Sequence, residues 1–266
     1  YAFPKRPWIE LRWLYTLGAW AIAEPFGLNG LLVAKVLMLM LSFGILARAC
    51  ETRHAGVTAC SLLAALILMH SRLGVRPELM SFLWLALVLL CLERFKRGGS
   101  QHWLWPLPLV QVLWNNSHTV GILGPVLALS LAGAEWIQGR LAPRISILAG
   151  DPNPVRGRRL ALLCGAGAAM CLAGFATPYG VAGALYPLTL LGMISAGSPL
   201  SQMIAELHSP LYYPGWHLLF AGWLAVAALS GASFWLRPQR FVLARLVWWM
   251  GFLQLASLSI RNIALF

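Results

Sequence analysis

Residues 29–47 read NGLLVAKVLMLMLSFGILA, nineteen positions with one charged side chain, Lys35. A helix of that length rises about 28 Å, close to the ~30 Å hydrocarbon layer of a bilayer. A membrane β-barrel would show alternating segments of about ten residues, and this run is continuously apolar instead. It reads as a transmembrane helix, and it sets the fold class: all-α and polytopic. Further spans are expected at about 55–71, 78–93, 103–118, 120–138, 160–177, 214–236 and 241–260, about eight in all. The stretch at 103–118 is the least regular, because it carries Pro106 and Pro108.

Composition agrees with a lipid solvent. The 266 residues are 59% hydrophobic and only 11% charged, with a mean hydropathy of +0.73. Soluble domains are nearer a quarter charged. A single transmembrane domain over 1–266 is expected, with no inserted soluble domain. The chain starts at Tyr1 without an initiator Met and stops at Phe266, and both ends read as cut from a longer protein. Upstream of the first span, residues 8–26 combine Glu10, Arg12 and Glu24 with Trp8, Trp13 and Trp20, the pattern of a helix lying in the membrane interface. Cys50, Cys60, Cys91, Cys164 and Cys171 lie in or beside apolar runs without CxxC spacing and read as helix-packing residues.

A net charge of +12 would suggest nucleic acid in a soluble protein. Here the positive-inside rule accounts for it. With 48–54, 94–102, 139–159 and 237–240 as cytoplasmic loops, thirteen of the twenty Lys and Arg residues fall on or near that side, counting Arg245 one turn inside a span. The opposite side holds Lys5, Arg6, Arg12, Arg72, Arg76 and Arg261. Residues 178–200 contain three prolines and four glycines, so a broken or re-entrant course is expected there, within an outer loop spanning 178–213.

That topology gathers ionisable and polar residues at one rim. Arg76-Pro77-Glu78 opens the third span, Asn115-Asn116-Ser117-His118 ends the fourth, and Thr177-Pro178-Tyr179-Gly180 ends the sixth. Glu206 and His208 lie in the outer loop, and Arg261-Asn262 ends the last span. Taken singly, each has a plain explanation: an Arg that snorkels, a Glu that complements a helix dipole, a His or Tyr that packs at the interface. Their coincidence on the side where topology disfavours Arg points to a site. HExxH, GxSxG, P-loop and GxGxxG patterns are absent, which argues against a zinc protease, a serine hydrolase and direct nucleotide chemistry.

The ordered set resembles the GT-C superfamily of membrane glycosyltransferases, in particular bacterial relatives of the lipid-linked-sugar transferases. PWIELRWLY at 7–15 is similar to that group's "W…EWL" segment and RPEL at 76–79 to its "RPxLF" span start. LWNNSHTVGILG at 113–124 is similar to "WANxHGxFxxG", and ATPYG at 176–180 to "NPYG". IAELHSP at 204–210 is similar to "xxEWxSP", and SIRNIALF at 259–266 to "SxRNIPxF". Thr119, Thr177 and Leu207 depart from those patterns, and the superfamily's early-loop carboxylate has only Glu10, then Glu24, as counterparts.

The resemblance implies transfer of a sugar from a polyprenyl-phosphate donor to an envelope glycan, lipid or protein acceptor, on the non-cytoplasmic face of a bacterial inner membrane. Under it, Glu10, Glu78 and Glu206 are the candidate catalytic carboxylates. Arg76, Asn116, His118, Tyr179, His208, Arg261 and Asn262 are the candidate substrate-binding residues. The expected partners are the bilayer, the lipid-linked sugar and the acceptor, without nucleic acid. No residue set marks a metal site or fixes a cofactor, and a divalent metal ion stays an open option. A transporter or lipid flippase is the alternative, since rim charges and broken helices also build substrate pathways, and a non-catalytic scaffold is a third.

Overall fold

In the computed structural model, residues 9–50, 54–193, 203–211, 217–236 and 238–266 are described. Lys5, Arg6, Trp8, Arg53 and Arg237 lie outside them, as do 194–202 and 212–216 of the expected outer loop. The described residues form helices and 3-10 turns with no strand. The helices are α1 (Trp13–Ala49), α2 (Ala55–Leu68), α3 (Glu78–Lys96), α4 (Pro106–Ser117), α5 (Leu123–Leu141), α6 (Gly157–Ala173), α7 (Gly180–Met193), α8 (His217–Leu236) and α9 (Leu243–Leu258).

Among the described residues three stretches are long and apolar enough to cross a membrane: α1, Thr119–Leu141 (α5 with the turn before it) and α8. The expected count of about eight is therefore not met. Helices α2, α4, α6 and α9 have 14, 12, 17 and 16 residues, short of the ~20 that a perpendicular crossing needs. Helix α3 reaches 19 residues, and Glu78, Glu93, Arg94 and Lys96 occupy its two ends. The character is membrane-like: Leu37, Met40, Leu218 and Trp235 are all exposed on outward faces.

The first two expected segments, 8–26 and 29–47, form one helical stretch broken at Gly27. There φ is 61° and ψ is −156°, a backbone conformation that glycine alone enters without strain, two residues after Pro25. Pro106 and Pro108 sit in the first turn of α4, where a missing N–H costs nothing, so they start this helix and do not weaken it. Of the stretch 178–200, expected to take a broken or re-entrant course, residues 194–200 lie outside the described residues. Gly180 (φ 52°) turns the chain, and 180–193 is helical with Pro187 inside. Of the cysteines, Cys91 alone is buried in the core; the other four are exposed.

Helices α3, α4, α5 and α6 pack around Trp114, Phe95, Leu92, Leu107, Leu131, Leu163 and Met170, all buried. A smaller cluster joins the end of α2 to α8, α9 and the 3-10 turn Ile260–Leu265 through Leu68, Trp223, Ala256, Ile260 and Ile263. The two ends of α3 carry opposite chemistry. At its C-terminal end Arg94 and Arg97 donate to the carbonyls of Arg48 and Ala49, capping α1. Beside them Lys96, itself buried, meets Glu135 at 2.8 Å and also Asp151, while Arg245 pairs with Glu93 at 2.9 Å. At the N-terminal end lies the cleft described next, about 28 Å away along a helix of this length.

Candidate functional site

The 3-10 turn His70–Arg72 follows α2, and Pro77 then caps the start of α3, placing Glu78 in the first helical turn where the helix dipole favours a negative charge. Arg72 is 4% exposed. Its Nη2 donates to Glu206 Oε2 at 2.8 Å and its Nη1 meets Glu78 Oε1 at 3.4 Å. The second carboxylate oxygen of Glu206 stands 3.8 Å from Arg76 Nη1. Glu78 Oε2 is buried and has no hydrogen-bond partner among the described residues. The segment carrying Glu206 is tied to the end of α9 by the backbone: Ser259 Oγ donates to Glu206 O, Ile260 N–H to His208 O, and Ser209 Oγ to Ser257 O.

His118 occupies the connector between α4 and the turn Thr119–Ile122, outside both helices and extended at φ −161°, ψ 151°. Close packing holds this connector. Gln111 Nε2 donates to Asn115 Oδ1 at 2.7 Å and to Gly121 O at 2.9 Å. A Cβ on Gly121 would fall 2.0 Å from Asn115 Oδ1, and one on Gly124 2.2 Å from Gln111 Oε1. Ser81 Oγ lies 2.7 Å from His118 Nδ1 and accepts from Trp114 Nε1 at 2.9 Å. Burial, reinforced by the guanidinium of Arg261, pushes the imidazole pKa down to about 4, so the ring is neutral at physiological pH.

Arg72, Glu78, Ser81, His118, Arg261 and Asn262 line one narrow cleft. Asn262 is held there by a bond from its Nδ2 to Leu255 O. Arg261 makes no hydrogen bond or ion pair among the described residues, and burial lowers its pKa from the usual guanidinium range. Arg261 is half-buried, the Glu78 and Glu206 carboxylates offset part of that burial cost, and a guanidinium so placed favours a further anionic or accepting oxygen.

The sequence-derived residues thus divide. Glu78, His118, Arg261 and Asn262 surround the cleft, and Glu206 and Arg76 reach it through Arg72. Asn116 is elsewhere and fully used by the fold: its Oδ1 accepts from Trp13 Nε1, and its Nδ2 donates to Val112 O and Ala176 O, each at 2.8 Å. Glu10 is clasped by its neighbour Arg12 (Oε1 to Nε 2.8 Å, Oε2 to Nη2 3.0 Å), and this pairing holds its carboxyl below the usual range. Tyr179 begins the turn into α7 and His208 Nδ1 lies 3.2 Å from Ala205 O; neither lines the cleft. Arg72 and Ser81 were missed as site residues. Arg72 was visible only as one more outer-side Arg, and Ser81 only as a small polar residue on an apolar helix.

Among the described residues no three His, Cys, Asp or Glu side chains converge as a metal centre requires. Glu78 and Glu206 each meet Arg72 through one carboxylate oxygen. No family model, no curated protein and no solved structure matches this chain.

Proposed function

We propose that the chain is the membrane domain of a GT-C-like glycosyltransferase, embedded in a bacterial inner membrane. In this reading it transfers a sugar from a polyprenyl-phosphate donor to an envelope acceptor on the non-cytoplasmic side. One observation supports the reading above others: Arg261, half-buried and without a hydrogen bond or ion pair among the described residues, shares a cleft with Glu78, whose buried Oε2 likewise has no partner among them. An anion site and a free carboxylate oxygen in one cleft suit a reaction whose leaving group is a phosphate and whose nucleophile is a hydroxyl. The crowding of Arg at the other end of α3 supports the orientation.

In the proposed step the acceptor oxygen bonds to the sugar's anomeric carbon as the bond from that carbon to the phosphate oxygen breaks. The electron pair leaves with the phosphate, held by Arg261, and the acceptor's proton passes to Glu78. Glu206 neutralises Arg72 and Arg76 and does not act as the base. The test is transfer from radiolabelled polyprenyl-phosphate sugars by the full-length protein in native membranes. Glu78→Gln should cost about two to four orders of magnitude in rate, the scale of general-base catalysis, and Arg261→Ala about two. Full transfer by both variants would discard the reading.

A further inference from the structure

Ser81 Oγ is buried and accepts the indole N–H of Trp114, and among the described residues the one acceptor within hydrogen-bond reach of its proton is His118 Nδ1 at 2.7 Å. A buried hydroxyl keeps its proton hydrogen-bonded. A neutral imidazole accepts at one nitrogen and donates at the other. If Nδ1 accepts, Nε2 carries the hydrogen, and Nε2 has no protein partner among the described residues while the ring lines the cleft.

We propose that Trp114 and Ser81 are positioning residues that fix His118 as a neutral Nε2–H donor, aimed at an anionic phosphoryl oxygen that Arg261 neutralises. This deepens the function proposed above and rests on it for the identity of the ligand. It also assigns His118 a role different from that of a base: in this tautomer the nitrogen left for the cleft holds a proton already and can only give a hydrogen bond. A neutral donor beside a guanidinium avoids setting a second positive charge next to the first, and a single hydrogen-bond donor adds direction to an attraction that is otherwise only charge. Trp114 is fully buried in the helix core, so the donor that fixes the Ser81 hydroxyl is itself held by packing.

The experiment uses the full chain, labelled with 15N-histidine, in phosphatidylcholine nanodiscs, with His118 assigned by difference from His118→Gln. The expected spectrum has Nδ1 in the unprotonated range and Nε2 in the protonated range. Farnesyl phosphate, the probe ligand, should shift Nε2 and leave Nδ1 nearly unmoved. Ser81→Ala should mix the two tautomers and weaken farnesyl phosphate binding about fivefold, the worth of one ordinary hydrogen bond, and Ser81→Thr should restore both. Protonation at Nδ1 in the wild type overturns the proposal, and so does an Nε2 signal indifferent to farnesyl phosphate. Should Ser81→Ala fail to fold, the wild-type spectrum and Ser81→Thr still decide. Loss of sugar transfer with the Nε2 shift intact would instead remove the transferase reading and leave the donor assignment standing.

Discussion

Arg72 is nearly inaccessible to solvent and faces two carboxylates, so truncating it strands Glu78 and leaves Glu206 only the longer contact to Arg76. Removing one partner of a buried pair costs about 3–5 kcal/mol. The Glu206 side chain is 43% exposed and water repays part of that loss. Arg72→Ala should therefore lower stability by about 2 kcal/mol, read as a depressed Tm in detergent; an unchanged Tm would show that the cluster is not organised by Arg72. His118 gives a pH prediction at the same level. An imidazole whose folded pKa lies below its unfolded value of 6.5 favours folding while it is neutral. Its contribution is complete above pH 6.5 and is lost as the pH falls toward 4. His118→Gln should flatten the fall in Tm across that window, and parallel curves for the two proteins would contradict the burial of a neutral ring.

Among the elements, the connector between α4 and α5 is the most constrained, because Gln111 and Asn115 fill the space beside Gly121 and Gly124. Overpacking a filled site costs about 1–3 kcal/mol. Gly121→Ala should fall in that range by thermal unfolding and should impair sugar transfer as well, since His118 lies three residues upstream; a silent substitution would mean that the connector yields easily. The same region shows what the sequence revealed and what it hid. Within LWNNSHTVGILG, Asn116 and His118 lie two residues apart and are opposite in use: one staples α1 to the 174–177 turn, the other faces the cleft. Side-chain direction at a helix end depends on tertiary packing, which spacing does not report. Span number failed for a related reason. Apolar runs were visible, but helix ends depend on turns such as His70–Arg72 and Ile260–Leu265, and these shorten the helices that apolarity alone would extend. The boundary expected between 8–26 and 29–47 falls at the break at Gly27.

For the molecule as a whole, the distribution of charge is the organising feature. The cleft with Arg72, Glu78, His118 and Arg261 gathers at the N-terminal end of α3, and Arg94, Lys96, Arg97, Glu135, Asp151 and Arg245 gather at the other end. In the proposed reading α3 crosses the bilayer, with the end that carries Arg94, Lys96 and Arg97 toward the cytoplasm. Its consequence is a fixed sidedness for every residue in either group. Single cysteines placed at Arg76, Leu211 and Arg158 in a cysteine-free background of the full-length protein, then labelled with an impermeant maleimide in intact cells, measure that sidedness. Positions 76 and 211 should label from outside and position 158 only after permeabilisation. Labelling of 76 and 158 from the same side would contradict the cleft's placement at the outer rim, and the proposed reaction with it.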